Sequence, residues 1–288
     1  MTTMTLAEAV EFTFANRHEW INGKSAWSAR INCSHFLRIL GGDTPVEMVR
    51  PLSFNLLKQE LLQEYWCKNK KRSPAGVNRI LAALSTVLNE CYKNELVSRK
   101  PAYTRCKESA GRAGFYTEEE MASLYEAALS LQVDGELLHD SILFAYYTGD
   151  RLGELTKIEW DGINIEDRQI TFKDTKNGSD HVIHMAADLV EMLKRRFHDR
   201  VDDRVFPWTG NRLGKDHLRR AFKKAQTIAG ITHERCWHEI RHTTGTHLIS
   251  KGVGVRTVMG VLNHSNINTT LRYAKNTDKA VADAIDLL

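Results

Sequence analysis

The sequence predicts a two-domain chain, mainly α-helical, with a small antiparallel β-sheet in its second domain. Three observations carry that expectation. Apolar residues recur at three- and four-residue steps behind helix-start signals along most of the 288 residues. That patterning lapses between Pro101 and Gly114. Short alternating apolar runs, the mark of strands, gather between Ile163 and Met185.

The first helix is expected over Thr5 to Arg17, with Leu6, Ala9, Val10, Phe12 and Phe14 apolar. Ser25 opens a second, whose expected buried side is Trp27, Ile31, Phe36, Leu37 and Leu40, and Gly41-Gly42-Asp43 stops it. A third helix from Ser53 carries Leu56, Leu57, Leu61, Leu62 and Tyr65. The basic run Lys68-Asn69-Lys70-Lys71-Arg72 follows. Ser73 as N-cap and Pro74 at the first helical position then begin a fourth helix. Its stripe is Val77, Ile80, Leu81, Leu84, Val87, Leu88 and Tyr92.

Residues 1–103 thus form a small helical domain. In PAYTRCKESAGRAG small and charged residues replace the apolar pattern, which predicts a linker over 104–114. The second domain, 115–288, opens with Thr117-Glu118-Glu119-Glu120, a capping box before Met121, Leu124 and Tyr125. A helix over 137–147 runs into Thr148-Gly149, where the glycine permits a sharp exit. Ile163 and Ile165, Ile170 and Phe172, and Ile183 and Met185 mark three strands. Their turns are Glu166-Asp167 and Lys176-Asn177-Gly178, the second holding a strong hairpin dipeptide. Helical patterns resume at 187–196, 215–229, 238–250, 255–262 and 269–272. Internal repeats and low-complexity tracts are absent from the sequence.

Composition narrows the function classes. Hydrophobic residues make up 42% and charged ones 26%, ordinary for a globular protein. No apolar run reaches membrane-spanning length, and the N-terminus lacks a charged-then-apolar signal layout. Cytoplasm or nucleoid is the expected location. The five cysteines are scattered without C-x-x-C spacing, which argues against a disulfide framework or a cysteine zinc site. A net charge of +4 permits a polyanionic partner. The basic run at 68–72, Arg195-Arg196, Arg219-Arg220 and Lys223-Lys224 favour one, since each neutralised phosphate releases counterions. Lys68, Lys70, Lys71, Arg72 and, between the domains, Arg105, Lys107 and Arg112 are the candidate contacts to such a polyanion.

The stretch from Trp237 to Tyr273 holds the densest chemistry, with His238, Arg241, His264 and Tyr273 in one segment. Two readings compete. His238-Glu239-Ile240-Arg241-His242 satisfies the zinc-hydrolase pattern H-E-x-x-H, with Gly245 where the longer pattern wants glycine. The third ligand position is Leu248, however, and His247 falls one residue short, about 100° off the shared helix face. Ordinary surface histidines account for His242 and His247. The second reading is phosphoryl transfer, with cations and imidazoles around a phosphodiester and a tyrosine as nucleophile.

Other segments favour the second reading. Thr148-Gly149-Asp150-Arg151-x-x-Glu154-Leu155, Lys176 in a hairpin turn, His238-x-x-Arg241-His242, Asn263-His264 and Tyr273 resemble the tyrosine recombinases, the phage integrase family. The resemblance runs from about Thr117 to the C-terminus. One departure is Asn263, where the family usually has glycine, though asparagine tolerates turn conformations well.

That resemblance implies a DNA-clamping architecture, with 1–103 as the core-binding domain. It implies catalytic roles for Arg151, Lys176, His238, Arg241, His264 and Tyr273, with Glu154 in support. Arg151 and Arg241 suit the non-bridging phosphate oxygens, because guanidinium donates two parallel hydrogen bonds. His238 and His264 add hydrogen bonds or move protons. Tyr273 attacks, forming a 3′-phosphotyrosyl bond, and Lys176 protonates the departing 5′ oxygen.

No metal, ATP or other cofactor is required. Double-stranded recombination sites are the implied partners, bound by a homotetramer spanning two sites. The tail Lys279–Leu288, with Val281, Ile285 and Leu288 on one face, is a plausible docking helix for a neighbouring subunit. Little room precedes Thr5 for an additional arm-binding domain. A type IB topoisomerase of the same chemistry and an inactive DNA-binding protein are the remaining alternatives to recombinase, with the zinc hydrolase after them.

Overall fold

The structure is a computed structural model. It describes residues 4–23, 25–67, 69–108, 114–173, 180–209, 214–233 and 235–274. Lys68, Arg112, Lys176 and the tail 279–288 lie outside the described residues, so the expectations placed on them have no structural counterpart. The chain divides into two compact units, Met1–Gly111 and Arg112–Leu288.

The first unit is a helical cluster: α1 (Leu6–Asn16), α2 (His18–Ile21), α3 (Ala26–Leu40), α4 (Pro51–Gln63) and α5 (Pro74–Lys93). Thr5 caps α1 in a reciprocal capping box with Glu8. Ser73 caps α5 through the backbone N–H of Gly76, with Pro74 in the first turn. The expected α5 stripe from Val77 to Leu88 is buried against α1, α3 and α4, while Tyr92 is exposed.

Three expectations need correction here. On α3 the buried side is Ala29, Cys33 and Phe36, and Trp27 is 76% exposed. Two stripes on that helix satisfy the same periodicity, and the one with smaller side chains allows closer packing. Tyr65 lies outside α4. It begins β1 (Tyr65–Cys67), which pairs antiparallel with β2 (Lys70–Lys71), so two lysines of the basic run lie in a strand. The first part of the expected linker is also tied down. Tyr103 and Cys106 pack on the first core, and Asn78 accepts from the Cys106 N–H while donating to its carbonyl.

In the second unit α6 (Glu118–Leu129) starts on the expected capping box between Thr117 and Glu120. It packs on α7 (Gly135–Thr148), whose core neighbours include Phe206 and Trp208. After α8 (Leu152–Leu155) comes a three-stranded antiparallel sheet of β3 (Ile163–Asn164), β4 (Gln169–Phe172) and β5 (His181–His184), with β4 central. Ile163 pairs with Ile170 and Ile170 with Ile183, putting the expected apolar positions on one face. The helices α9 (Ala187–His198), α10 (Lys215–Ile228), α11 (His238–Ser250), α12 (Val255–Val261) and α13 (Ile267–Leu271) complete the unit. No helix is long and apolar enough to cross a membrane among the described residues.

Candidate active site

Three local structures converge on the site: the exit of α7, the buried face of α11, and the turn from α12 to α13. Gly149 ends α7 at φ +59°, the left-handed conformation that glycine adopts without strain. A Cβ there would stand 2.4 Å from Cδ2 of Leu262. The turn therefore needs glycine for space as well as for φ. Arg151 follows in extended conformation at the start of α8. Glu154 accepts from its backbone N–H at 2.8 Å and from its guanidinium at 2.9 Å, which fixes the arginine from both ends. Arg151 remains partly exposed, leaving donors for a ligand.

Arg241 is only 3% exposed. Its guanidinium donates to the backbone carbonyls of Gly149 and Leu262, so it clips the end of α7 to the end of α12. Burial, then the neighbouring Arg151 charge, pull its pKa down to about 10, which leaves it charged at neutral pH. A buried cation bonded to neutral carbonyls leaves the site with surplus positive charge. Asp150 is buried nearby, and neither carboxylate oxygen has a hydrogen-bond partner. Burial first, and Glu154 second, push its pKa well above the usual range.

Tyr273, after α13, is 8% exposed, and its hydroxyl lies 2.6 Å from Nδ1 of His242. Gly245 makes the ring's position possible, because a Cβ there would come within 2.7 and 2.9 Å of ring carbons. The His264 ring lies nearly parallel to Tyr273, centroids 6.5 Å apart, while its Nδ1 meets the Thr270 hydroxyl at 2.8 Å. Asn263, before it, has φ +45°, a conformation that asparagine tolerates. His238 stands at the exposed mouth, its ring 4.8 Å from that of His242.

All three histidines are held towards the neutral form. Desolvation lowers His242 to about 4, aided by His238, Arg272 and Arg241. His264 is also lowered to about 4, by desolvation and then Arg241 and Arg151. His238 is lowered by desolvation and then by the same two arginines. Burial raises Tyr273, while Arg241 and Arg272 pull it back.

The structure thus brings Arg151, Glu154, His238, Arg241, His264 and Tyr273 together. One expectation fails in detail. His242 and His247 are buried, not surface, histidines, and the Nδ1 of His247 meets the Tyr146 hydroxyl at 2.9 Å. The remaining residues of the H-E-x-x-H pattern also have other work. Glu239 accepts from the Cys236 N–H, and His242 faces Tyr273. Sequence reasoning missed Gly245 and Leu262 as well, since neither carries chemistry, and only three-dimensional proximity exposes their roles.

The basic candidates of the first unit fare unevenly. Lys70, Lys71, Arg105 and Lys107 are exposed. Arg72 is partly buried and pairs with Glu64 at 3.2 Å beside His35, so it is a structural ion pair, not an open phosphate contact.

The family model of the phage integrase family matches residues 115–280. The chain belongs to the phage integrase family. Within it, the tyrosine recombinase XerA of Pyrococcus furiosus is 28% identical over 176 residues, covering 59% of this chain and 60% of XerA. The chain thus spans about 60% of that relative's length. The fold matches the Tn1549 transposon integrase in complex with circular intermediate DNA, with a TM-score of 0.77 at 16% identity. That match covers 98% of this chain and 99% of the other. It also matches a lambda integrase tetramer bound to a Holliday junction, with a TM-score of 0.75 at 20% identity over 96% and 80% of the two chains.

Proposed function

We propose that this phage integrase family member is a site-specific DNA recombinase of mobile-element or phage type, which cuts and rejoins strands through a 3′-phosphotyrosyl intermediate. The observation that carries the reading is a buried tyrosine hydroxyl on an imidazole nitrogen, beside two guanidiniums and neutral histidines. Such a pocket suits an anion that must be attacked. A phosphodiester resists nucleophiles because its charge repels them and its alkoxide is a poor leaving group.

Arg241, rigid on its two carbonyls, and Arg151, oriented by Glu154, hold the non-bridging oxygens and stabilise charge in the transition state. Tyr273 attacks phosphorus, and the P–O5′ bond breaks. Lys176 supplies the proton to the departing 5′ oxygen, while His238 and His264 donate hydrogen bonds to the phosphate. Attack by a partner strand's 5′ hydroxyl reverses the step, and two such exchanges join two duplexes through a four-way junction. Phosphate-bond energy is kept in the tyrosyl ester, so ATP is not needed and no metal is assigned a role. Lys68, Lys70, Lys71, Arg105 and Lys107 contact the DNA backbone from the first unit. Four copies act on two sites, with the tail 279–288 docking on a neighbour. The protein works where its DNA lies, in the cytoplasm or nucleoid.

The test uses nicked suicide duplexes, taken from a randomised library by covalent retention on the full-length protein in chelator. Recombinase activity predicts adducts and, on intact selected sites, four-way junctions. Adducts that reseal without exchange between duplexes would indicate a topoisomerase. Failure to retain any DNA covalently would point to an inactive binding protein, and activity lost to chelator would restore the zinc hydrolase.

A further inference from the structure

We infer that His242 is a further catalytic residue, the proton acceptor for the Tyr273 hydroxyl during strand cleavage and its proton donor during rejoining. This rests on the recombinase reading above. Three observations lead to it.

The first is distance. Nδ1 of His242 and the Tyr273 oxygen are 2.6 Å apart, within reach for direct proton transfer. Among the hydrogen bonds of the described residues, this one joins the nucleophilic oxygen to a group able to take its proton. His264 points its own Nδ1 at Thr270.

The second is rigidity. His242 is 9% exposed and lies on the long helix α11, one turn after His238. Gly245, on the same helix, lets the Tyr273 ring lie close against it. The imidazole is therefore fixed by α11, and the phenol, which follows α13, packs its ring against that same helix.

The third is need. Burial keeps the phenol protonated at neutral pH, and a neutral phenol is a weak nucleophile. Five groups face His242: His238, Arg241, His264, Arg272 and the phenol. Burial first, and then His238 and the two arginines, hold the imidazole towards the neutral form in the free protein, with Nδ1 facing the phenolic hydroxyl. A phosphodiester entering between Arg151 and Arg241 brings negative charge and counters those cations. The imidazole then becomes more basic as the substrate arrives. The nucleophile is stored as a phenol and armed by DNA.

The step balances. The phenolic proton moves to Nδ1 as the oxygen forms its bond to phosphorus. The P–O5′ bond breaks, and the 5′ oxygen takes a proton from Lys176. In rejoining, the 5′ hydroxyl gives its proton back to the neutral Lys176 as its oxygen attacks phosphorus, the P–O bond to Tyr273 breaks, and His242 returns its proton to the phenolic oxygen.

The experiment measures single-turnover adduct formation on a nicked suicide duplex selected by wild-type protein, from pH 6 to 9. The variants are His242→Asn, whose amide oxygen keeps an acceptor near the Nδ1 position, and wild type carrying a more acidic fluorinated tyrosine at 273. Loss of the base should slow His242→Asn by about 10²- to 10⁴-fold at pH 7, with the rate then rising about tenfold per pH unit. Fluorination should restore much of that loss in the variant and change wild type little. Rates for His242→Asn within a few-fold of wild type would overturn the inference. So would a loss that is constant with pH and not rescued by fluorination, which would make His242 a positioning residue. Should His242→Asn fail to fold, wild type decides: a rate rising steeply as the fluorinated phenol becomes more acidic would also overturn the assignment. Absence of any adduct with wild type would instead remove the recombinase reading itself.

Discussion

Both units have apolar cores, but the second adds a polar interior around α11. In the first, the core is built from aliphatic, aromatic and cysteine side chains, and its charges pair outside, as in Arg30 with Glu11 and Arg38 with Glu64. In the second, α11 buries Arg241, His242, Thr243, Thr244 and His247 alongside Ile240. Each of these polar groups needs a partner in the interior, and most find one: Arg241 on two carbonyls, Thr244 on the Tyr146 carbonyl, Thr243 on the Tyr116 N–H. The first interior is judged by volume and the second by satisfied valences. Some buried polar atoms of this unit lack a hydrogen-bond partner, among them both carboxylate oxygens of Asp150 beside the site and Nε1 of Trp237 just before α11.

The largest effect expected from that difference is at Arg241. Replacement by alanine should cut adduct formation by at least the roughly 10²- to 10³-fold typical of removing one donor to a transition-state oxyanion. It should also destabilise the second unit, since each orphaned carbonyl costs about 1–3 kcal/mol. Leu84→Ala in the first unit should cost about 2–5 kcal/mol through its cavity alone. Denaturant melts and single-turnover rates on the same variants separate the two kinds of damage. If Arg241→Ala melted like wild type, the clip between α7 and α12 would be dispensable.

A glycine pair sharpens the contrast within one unit. Gly245→Ala should push the Tyr273 ring aside and lower the adduct rate about a hundredfold, the scale set by ångström misplacement of a reacting group. Gly260→Ala meets open space on α12 and should leave the rate unchanged while adding up to about 1 kcal/mol of helix stability. Equal rates for both variants would break the claim that Gly245 is kept small for the nucleophile.

Smaller effects concern pH. The Asp150 carboxyl is raised in the folded state, so the native protein binds a proton more tightly than the unfolded chain does. Its contribution to stability is present below about pH 4 and is lost as pH rises. Asp150→Asn should therefore match wild type near pH 4 and melt higher at pH 8. His242 and His264 run the other way. Their folded values near 4 lie below the ordinary 6.5, so stability is intact above pH 6.5 and drains as pH falls towards 4. Thermal melts at pH 7.5, 5.5 and 4.5 should show that loss. A flat profile would mean that these imidazoles are not held neutral.

How much of this was legible in the sequence follows the same division. The first unit could be read through periodicity and caps, because apolar burial repeats with the helix; Ser73, Pro74 and the α5 stripe are examples. It failed where two stripes competed, on α3, and where two lysines of a basic run lie in a strand too short to leave a pattern. In the second unit periodicity says little about α11, whose buried face is mostly polar. Residue chemistry and order say more there, since type and spacing single out Arg151, Glu154, His238, Arg241, His264 and Tyr273, which the fold brings together. His242 was visible as a letter in a motif but not as the partner of Tyr273, which is 31 residues away. Gly149 could be read as the turn that ends α7, whereas Gly245 and Leu262 act through close approaches that only the fold reveals.

The central claim is that the polar interior of the second unit exists to present Tyr273 to a phosphodiester. Mass spectrometry of the nuclease-trimmed covalent complex tests it most directly. The account predicts a nucleotide joined through a 3′ phosphate to Tyr273, with no adduct from Tyr273→Phe although that variant still binds the selected duplex. A modified peptide elsewhere in the chain, or an adduct persisting in Tyr273→Phe, would contradict it.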